Sequence, residues 1–278
     1  MKKGINAWCF PDDMQINDVF ALAALERFEG IEVNLACEGK AGYLNINTWE
    51  KDCENLRTLS KKHYLPISSV STAYLWDYPL SDNDPEKIEK GKTAVKIMVD
   101  AAKALDADTV LVVPGRVTKD VSYKTCYDRA LKAINELKTY AGKKEIILGI
   151  ENVWNKFLLS PLEMRDFINA IDSPYVRSYL DAGNVMQSGY PHHWVELLCG
   201  KIAKVHVKDF VCEIGNIMGF VNLLQGDVDW GSLMKALRDA GYNSYITAEL
   251  SPYKTNPAGL IKDTSAALDY ILSLQGSA

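Results

Sequence analysis

The sequence has no CxxC and no other close cysteine pairing: Cys9, Cys37, Cys53, Cys126, Cys199 and Cys212 are scattered through 278 residues. That spacing excludes a zinc ribbon, and a chain this long has no need of a disulfide scaffold. The six are read as reduced thiols of a cytoplasmic protein, with Cys9 and Cys37 as buried groups just after strands. No apolar run approaches the roughly 20 residues that span a bilayer. The opening MKKGINAWCF carries two lysines but no apolar core of a signal peptide, and reads instead as a first strand. Excess positive charge is missing too. A net charge of −5 argues against a general nucleic-acid binder. No linker or composition shift marks a boundary, so residues 1–278 are expected to form one domain.

What is present is an alternation. Apolar, β-branched runs at Lys3–Trp8, Gly30–Ala36, Pro66–Thr72, Thr109–Val113, Glu145–Glu151, Arg177–Asp181, Ala203–Val207 and Ser244–Leu250 read as strands. Between them lie segments of helical periodicity with start signals. Asn17-Asp18 is read as a cap, Asn47 to Glu50 as a capping box, Asp84-Pro85 as cap and first turn, Ser160 to Glu163 as a second capping box, and Asp229 as a cap. Strict βα alternation implies a parallel sheet. Eight repeats in a chain near the usual barrel length of about 250 residues predict an α/β fold, a single closed (β/α)₈ TIM barrel.

In such barrels the functional groups sit at the C-terminal ends of the strands. Four consecutive strands end in a metal-type ligand: Glu151, Asp181, His206 and Glu249. Three carboxylates and one imidazole suit Mn²⁺, Mg²⁺ or Co²⁺ and can hold Zn²⁺ or Fe²⁺. Without a cation the carboxylates would repel one another. A cation there leaves positions for two adjacent oxygens of an α-hydroxy carbonyl compound. Glu151 or Glu249 could take the proton from the carbon between them, giving a cis-enediolate. Return on the opposite face yields a 3-epimer, and return on the neighbouring carbon an aldose–ketose isomer.

In order along the chain, GIEVN, ADTVLVVPG, GIEN, LDAGN, HVKDF, GDVDW and AEL resemble the sugar-phosphate isomerase/epimerase superfamily, the xylose-isomerase-like barrels. The resemblance covers the whole chain. It implies one divalent ion, Mn²⁺ first with Co²⁺, Mg²⁺ or Zn²⁺ as alternatives, on Glu151, Asp181, His206 and Glu249. The two glutamates would double as the acid/base pair, so His206 is a ligand and not the base. The expected activity is isomerisation or 3-epimerisation of a ketose or ketose phosphate, with an inosose dehydratase-like lyase as the alternative on the same site. The related endonuclease type would need several more histidines at strand ends. The expected partner is therefore a small sugar or sugar phosphate, with no nucleic acid and no membrane, and a homo-oligomer is compatible with this reading.

Asn184 in LDAGN and the layout of MGFVNLLQGDVDW resemble the phosphate-sugar branch, and the absence of an arginine after HVKDF departs from the free-ketose 3-epimerases. Lys208 and Arg116, just past strand ends, are candidate anion contacts. Asn184, Asn152, Trp154 and Asn155 are candidate sugar contacts. Trp8, Tyr74 and Trp76 are candidate pocket walls.

Overall fold

The computed structural model describes residues 1–36 and 42–275. Eight parallel strands form its centre: β1 (Lys2–Asn6), β2 (Gly30–Ala36), β3 (Ile67–Thr72), β4 (Thr109–Val112), β5 (Ile147–Glu151), β6 (Val176–Asp181), β7 (Ile202–Val207) and β8 (Tyr245–Ala248). Each pairs with its neighbour in sequence, and β1 pairs with both β2 and β8, which closes the barrel. The major helices follow the strands: α1 (Ile16–Leu25), α2 (Trp49–His63), α3 (Pro85–Ala104), α4 (Tyr123–Lys144), α5 (Pro161–Ile171), α6 (Pro191–Leu197), α7 (Trp230–Asp239) and α8 (Pro257–Ser273). Among the described residues no helix is long and apolar enough to cross a membrane.

The strands are buried on both faces, as a parallel sheet covered by helices requires. β4 reads TVLV and is wholly buried. The helices bury one stripe each; on α4 it is Cys126, Ala130, Ala133, Ile134, Leu137 and Ala141, at helical spacing. Asp84 caps α3 through the amide of Glu86, Ser160 and Glu163 close a reciprocal box on α5, and Asp229 caps α7 through Ser232.

Two expected caps differ. α1 starts at Ile16, so Asn17 and Asp18 lie inside its first turn. The Asn17 side chain instead accepts from Lys62 Nζ at 2.7 Å, tying α1 to the end of α2. The box expected at Asn47 to Glu50 does not form. Asp52 takes that place, accepting from the Thr48 hydroxyl at 2.8 Å and from the Asn45 amide at 2.9 Å. β1 stops at Asn6 rather than Trp8, because the Asn6 side chain accepts from the Trp8 amide and turns Ala7–Cys9 into a 3₁₀ turn.

The aromatic stretch after β3 contains a short helix, Tyr74–Asp77. The long connection after β7 is also structured. Asp209–Phe210 pairs antiparallel with Phe220–Val221. Asp209 holds its base, accepting from the amides of Phe210 and Val228 and from Trp230 Nε1. Cys9 is buried, with its sulfur between the Ala248 carbonyl and the Leu250 amide. Cys37 lies outside the described residues.

Candidate metal and active site

Glu151 ends β5, Asp181 ends β6, His206 is the penultimate residue of β7, and Glu249 follows β8 directly. The Glu249 amide donates to the Val207 carbonyl at 3.1 Å, which fixes its exit from the barrel. One ligand atom from each of the four residues lies within 4.8 Å of every other. The sequence expectation of a single convergent cluster therefore holds in space.

The group fits a divalent cation. His206 Nδ1 is buried and has no hydrogen-bond partner among the described residues. It faces Glu151 Oε1 at 3.4 Å and Glu249 Oε2 at 3.7 Å. The other ring nitrogen, Nε2, donates to Glu32 Oε1 at 2.6 Å. A hydrogen bond of that kind fixes the tautomer and leaves the opposite nitrogen free to ligate. Asp181 Oδ2 is likewise buried, with the Lys208 ammonium 2.9 Å away.

Glu32, in the GIEVN of β2, was not among the expected site residues. Its side chain is fully buried and four residues hold it. Tyr179 Oη donates at 2.6 Å, Ser69 Oγ at 2.7 Å, and Asn6 Nδ2 and His206 complete the set. β2 and β6 stand on opposite sides of the barrel, so Glu32 and Tyr179 can meet only across its axis. The signal that could have found Glu32 is a charge in a strand whose parallel setting buries both faces.

Electrostatics separate the carboxyls. Burial pushes Glu151 up to about 7, reinforced by the charges of Glu249 and Asp181. Burial also raises Asp181, helped by the charge of Glu249 and opposed by Lys208. Burial also works against Glu249, but Lys208 and His206 outweigh it and hold that carboxyl below its usual value. Glu32 is buried and still sits at about 2, because the imidazole of His206 and the donors around it favour its charged form. His206 is raised by Glu32 and Glu249 in spite of burial.

Lys208 occupies a place that sequence reading did not assign. Its ammonium bridges Asp181 Oδ2 and Glu249 Oε2 and lies 5.4 Å from the centre of the Phe220 ring. It is paired with two carboxylates of the cluster and also lines the cavity above them. Arg116 lies outside the cavity lining, its guanidinium 5.7 Å from the Trp76 ring centre. Asn152 and Asn155 both bond to backbone groups beside the cluster. Asn152 spends its amide on the backbone of Asp181, donating to the carbonyl at 2.9 Å and accepting from the amide at 2.8 Å. Asn155 donates to the Gly115 carbonyl and accepts from the Phe157 amide. Neither lines the cavity above the cluster. Each amide donates one bond to and accepts one bond from backbone groups, which ties the site's loops together.

Trp8, Trp76, Trp154 and Asn184 do line that cavity, with Glu151, Lys208 and Glu249 at its floor. Asn184 donates through its backbone to Asp181 Oδ1 at 2.8 Å, and its carbonyl accepts from Trp154 Nε1 at 2.9 Å. Tyr74 does not reach the cavity and stacks on Tyr78.

Residues 20–271 match the family model described as xylose isomerase-like TIM barrel. The chain belongs to that family. Solved structures share its fold at low identity. A D-psicose 3-epimerase in the presence of D-fructose superposes with a TM-score of 0.81 at 18% identity, covering 100% of both chains. A D-psicose 3-epimerase with D-tagatose from Clostridium cellulolyticum H10 gives 0.79 at 16% identity, again over 100% of both. The 3-keto-D-glucoside 4-epimerase of E. coli, in its apo form, gives 0.78 at 17% over 98% of each chain. No curated protein sequence matches the chain.

Proposed function

We propose that residues 1–278 form one metal-dependent enzyme that removes and returns a proton beside the carbonyl of a ketose, acting as an epimerase or isomerase. The observation that carries this reading is the convergence of Glu151, Asp181, His206 and Glu249 within 4.8 Å, with an unpartnered His206 Nδ1 among them. The epimerases with the same fold support it. Glu151, Asp181, His206 and Glu249 would hold the ion, Mn²⁺ first. When bound, it supplies polarisation of a carbonyl and the neighbouring hydroxyl.

The remaining work falls to the chain's own groups. Burial brings the Glu151 carboxyl close to neutrality, where a group can both take and release a proton. Lys208 keeps Glu249 ionised on the opposite flank, three strands round the barrel. The two carboxylates therefore face a substrate from two sides, the arrangement that inversion at one carbon requires. Glu32 and Asn152 act through others: one orients His206, the other the backbone of Asp181.

The test is solvent deuterium uptake by D-fructose and D-tagatose, followed by NMR. Protein stripped of metal should not exchange the proton beside the carbonyl, and Mn²⁺ should restore exchange. Glu151→Gln and Glu249→Gln should each lower it by about 10²–10⁴-fold. No uptake with any ketose, or uptake undiminished by both variants, overturns the proposal. Diketone absorbance with a keto-inositol, in place of exchange, would assign a dehydrating lyase.

A further inference from the structure

The cavity above the carboxylate floor is larger and more apolar than a lone sugar needs. Its volume is about 870 Å³, close to the upper end for sites that enclose drug-sized ligands. A six-carbon sugar placed on Glu151, Glu249 and Asn184 leaves most of that space unfilled. The charged groups Glu151, Lys208 and Glu249 lie at the floor, and Asn222, Gln225, Ser251 and Lys254 add polar groups from the loops. The walls above are Trp8, Trp76, Trp154, Phe220, Leu250 and Tyr253.

These walls are built, not incidental. Trp8 follows β1 and Trp154 follows β5, strands on opposite sides of the barrel, so aromatic faces flank the cavity from both directions. Trp154 is held by its bond to the Asn184 carbonyl and by Phe210 and Phe220, with ring centres 5.4 and 4.8 Å away. Arg116 lies over Trp76 from outside the lining. The apolar character continues to the rim, where Ile217 lines the mouth while 66% exposed, beside Met218 at 75%. Exposed apolar side chains at the edge of a pocket mark a binding surface.

Among the described residues the basic side chains of the lining are Lys208, which lies against Asp181 and Glu249, and Lys254.

We propose that the substrate is a sugar ketone bearing an apolar substituent, an aryl group by preference. The sugar lies on the carboxylate floor and the substituent lies between the Trp8–Trp76 side and Trp154–Phe220. This rests on the reading of the floor given above, but its test needs no turnover.

The test is binding to the Mn²⁺-loaded protein, followed by tryptophan fluorescence and calorimetry. The probes are phenyl β-D-glucoside, methyl β-D-glucoside, D-fructose and D-fructose 6-phosphate. Burial of a phenyl ring against indole predicts at least about ten-fold tighter binding of the phenyl than of the methyl glucoside. Trp76→Ala should abolish that ratio. Ile217→Asp, a change at an exposed position that leaves the fold undisturbed, should reduce it. Equal binding of the two glucosides, or tightest binding of the phosphate, overturns the proposal. Loss of deuterium exchange with the phenyl preference intact would remove the catalytic reading and leave this one standing.

Discussion

His206 donates from Nε2 to Oε1 of Glu32 at 2.6 Å, and both side chains are fully shielded from solvent. The bond fixes the ring so that Nδ1 points at Glu151 and Glu249. Outer-shell carboxylates of this kind usually change metal affinity by about 10–100-fold when altered. Glu32→Gln should weaken Mn²⁺ binding by that factor, measured by calorimetry on metal-stripped protein. Unchanged affinity would reduce Glu32 to a packing element of the barrel interior.

Lys208 lies against the carboxylates that the ion would use. Removing its charge has opposite effects on the two states. In Lys208→Met the metal-free protein loses the counter-charge of Asp181 and Glu249, and its Tm should fall. Mn²⁺ then no longer competes with an ammonium, so it should bind more tightly and raise Tm further than in the parent. Weaker Mn²⁺ binding in the variant would mean that Lys208 supports the ion.

Acidity should act on the metal-free protein with a definite sign. Glu151 is raised from 4.5 to about 7, so its protonated form favours the folded state. That stability is complete below pH 4.5 and is lost as pH rises through about 7. His206 is also raised, so its contribution too is lost as pH rises, above 6.5. Glu32, lowered to about 2, acts only between pH 2 and 4.5, with opposite sign. Tm of stripped protein should therefore decline from pH 5 to pH 8. With Mn²⁺ the trend should reverse, because protons compete with the ion for the same atoms. A metal-free Tm that rises across this range would contradict a protonated Glu151.

Gly226 tests the segment over the cavity. A β-carbon there would meet Asp209 Oδ1 and lie 2.5 Å from the Phe210 nitrogen, which is backbone and cannot yield. Gly226→Ala should cost about 1–3 kcal/mol of stability by overpacking. Hydrogen exchange should quicken through residues 211–228, and Mn²⁺ affinity should hold, since the four ligands lie on other segments. An unaltered exchange pattern would show that the Asp209 anchor tolerates displacement.

Eight βα repeats, and the strand ends that carry Glu151, Asp181, His206 and Glu249, were legible in the chain because both rest on local rules. Burial on both faces writes apolar strands such as TVLV, and caps such as Ser160 with Glu163 write helix starts. Parallel closure then brings every strand's C-terminal end to one rim, so ligands distant in sequence must meet. Caps whose partners lie elsewhere were misread: Asn17 binds Lys62, and the α2 start depends on Asp52 and Asn45. Only the tertiary structure decided that Glu32 serves His206 across the barrel, that Lys208 turns inward to two carboxylates, and that Asn152 and Asn155 spend their amides on backbone. The cavity's size and aromatic walls were likewise set by loops from opposite strands. Such contacts join residues up to 174 positions apart, and no local periodicity encodes which side chains meet when a barrel closes.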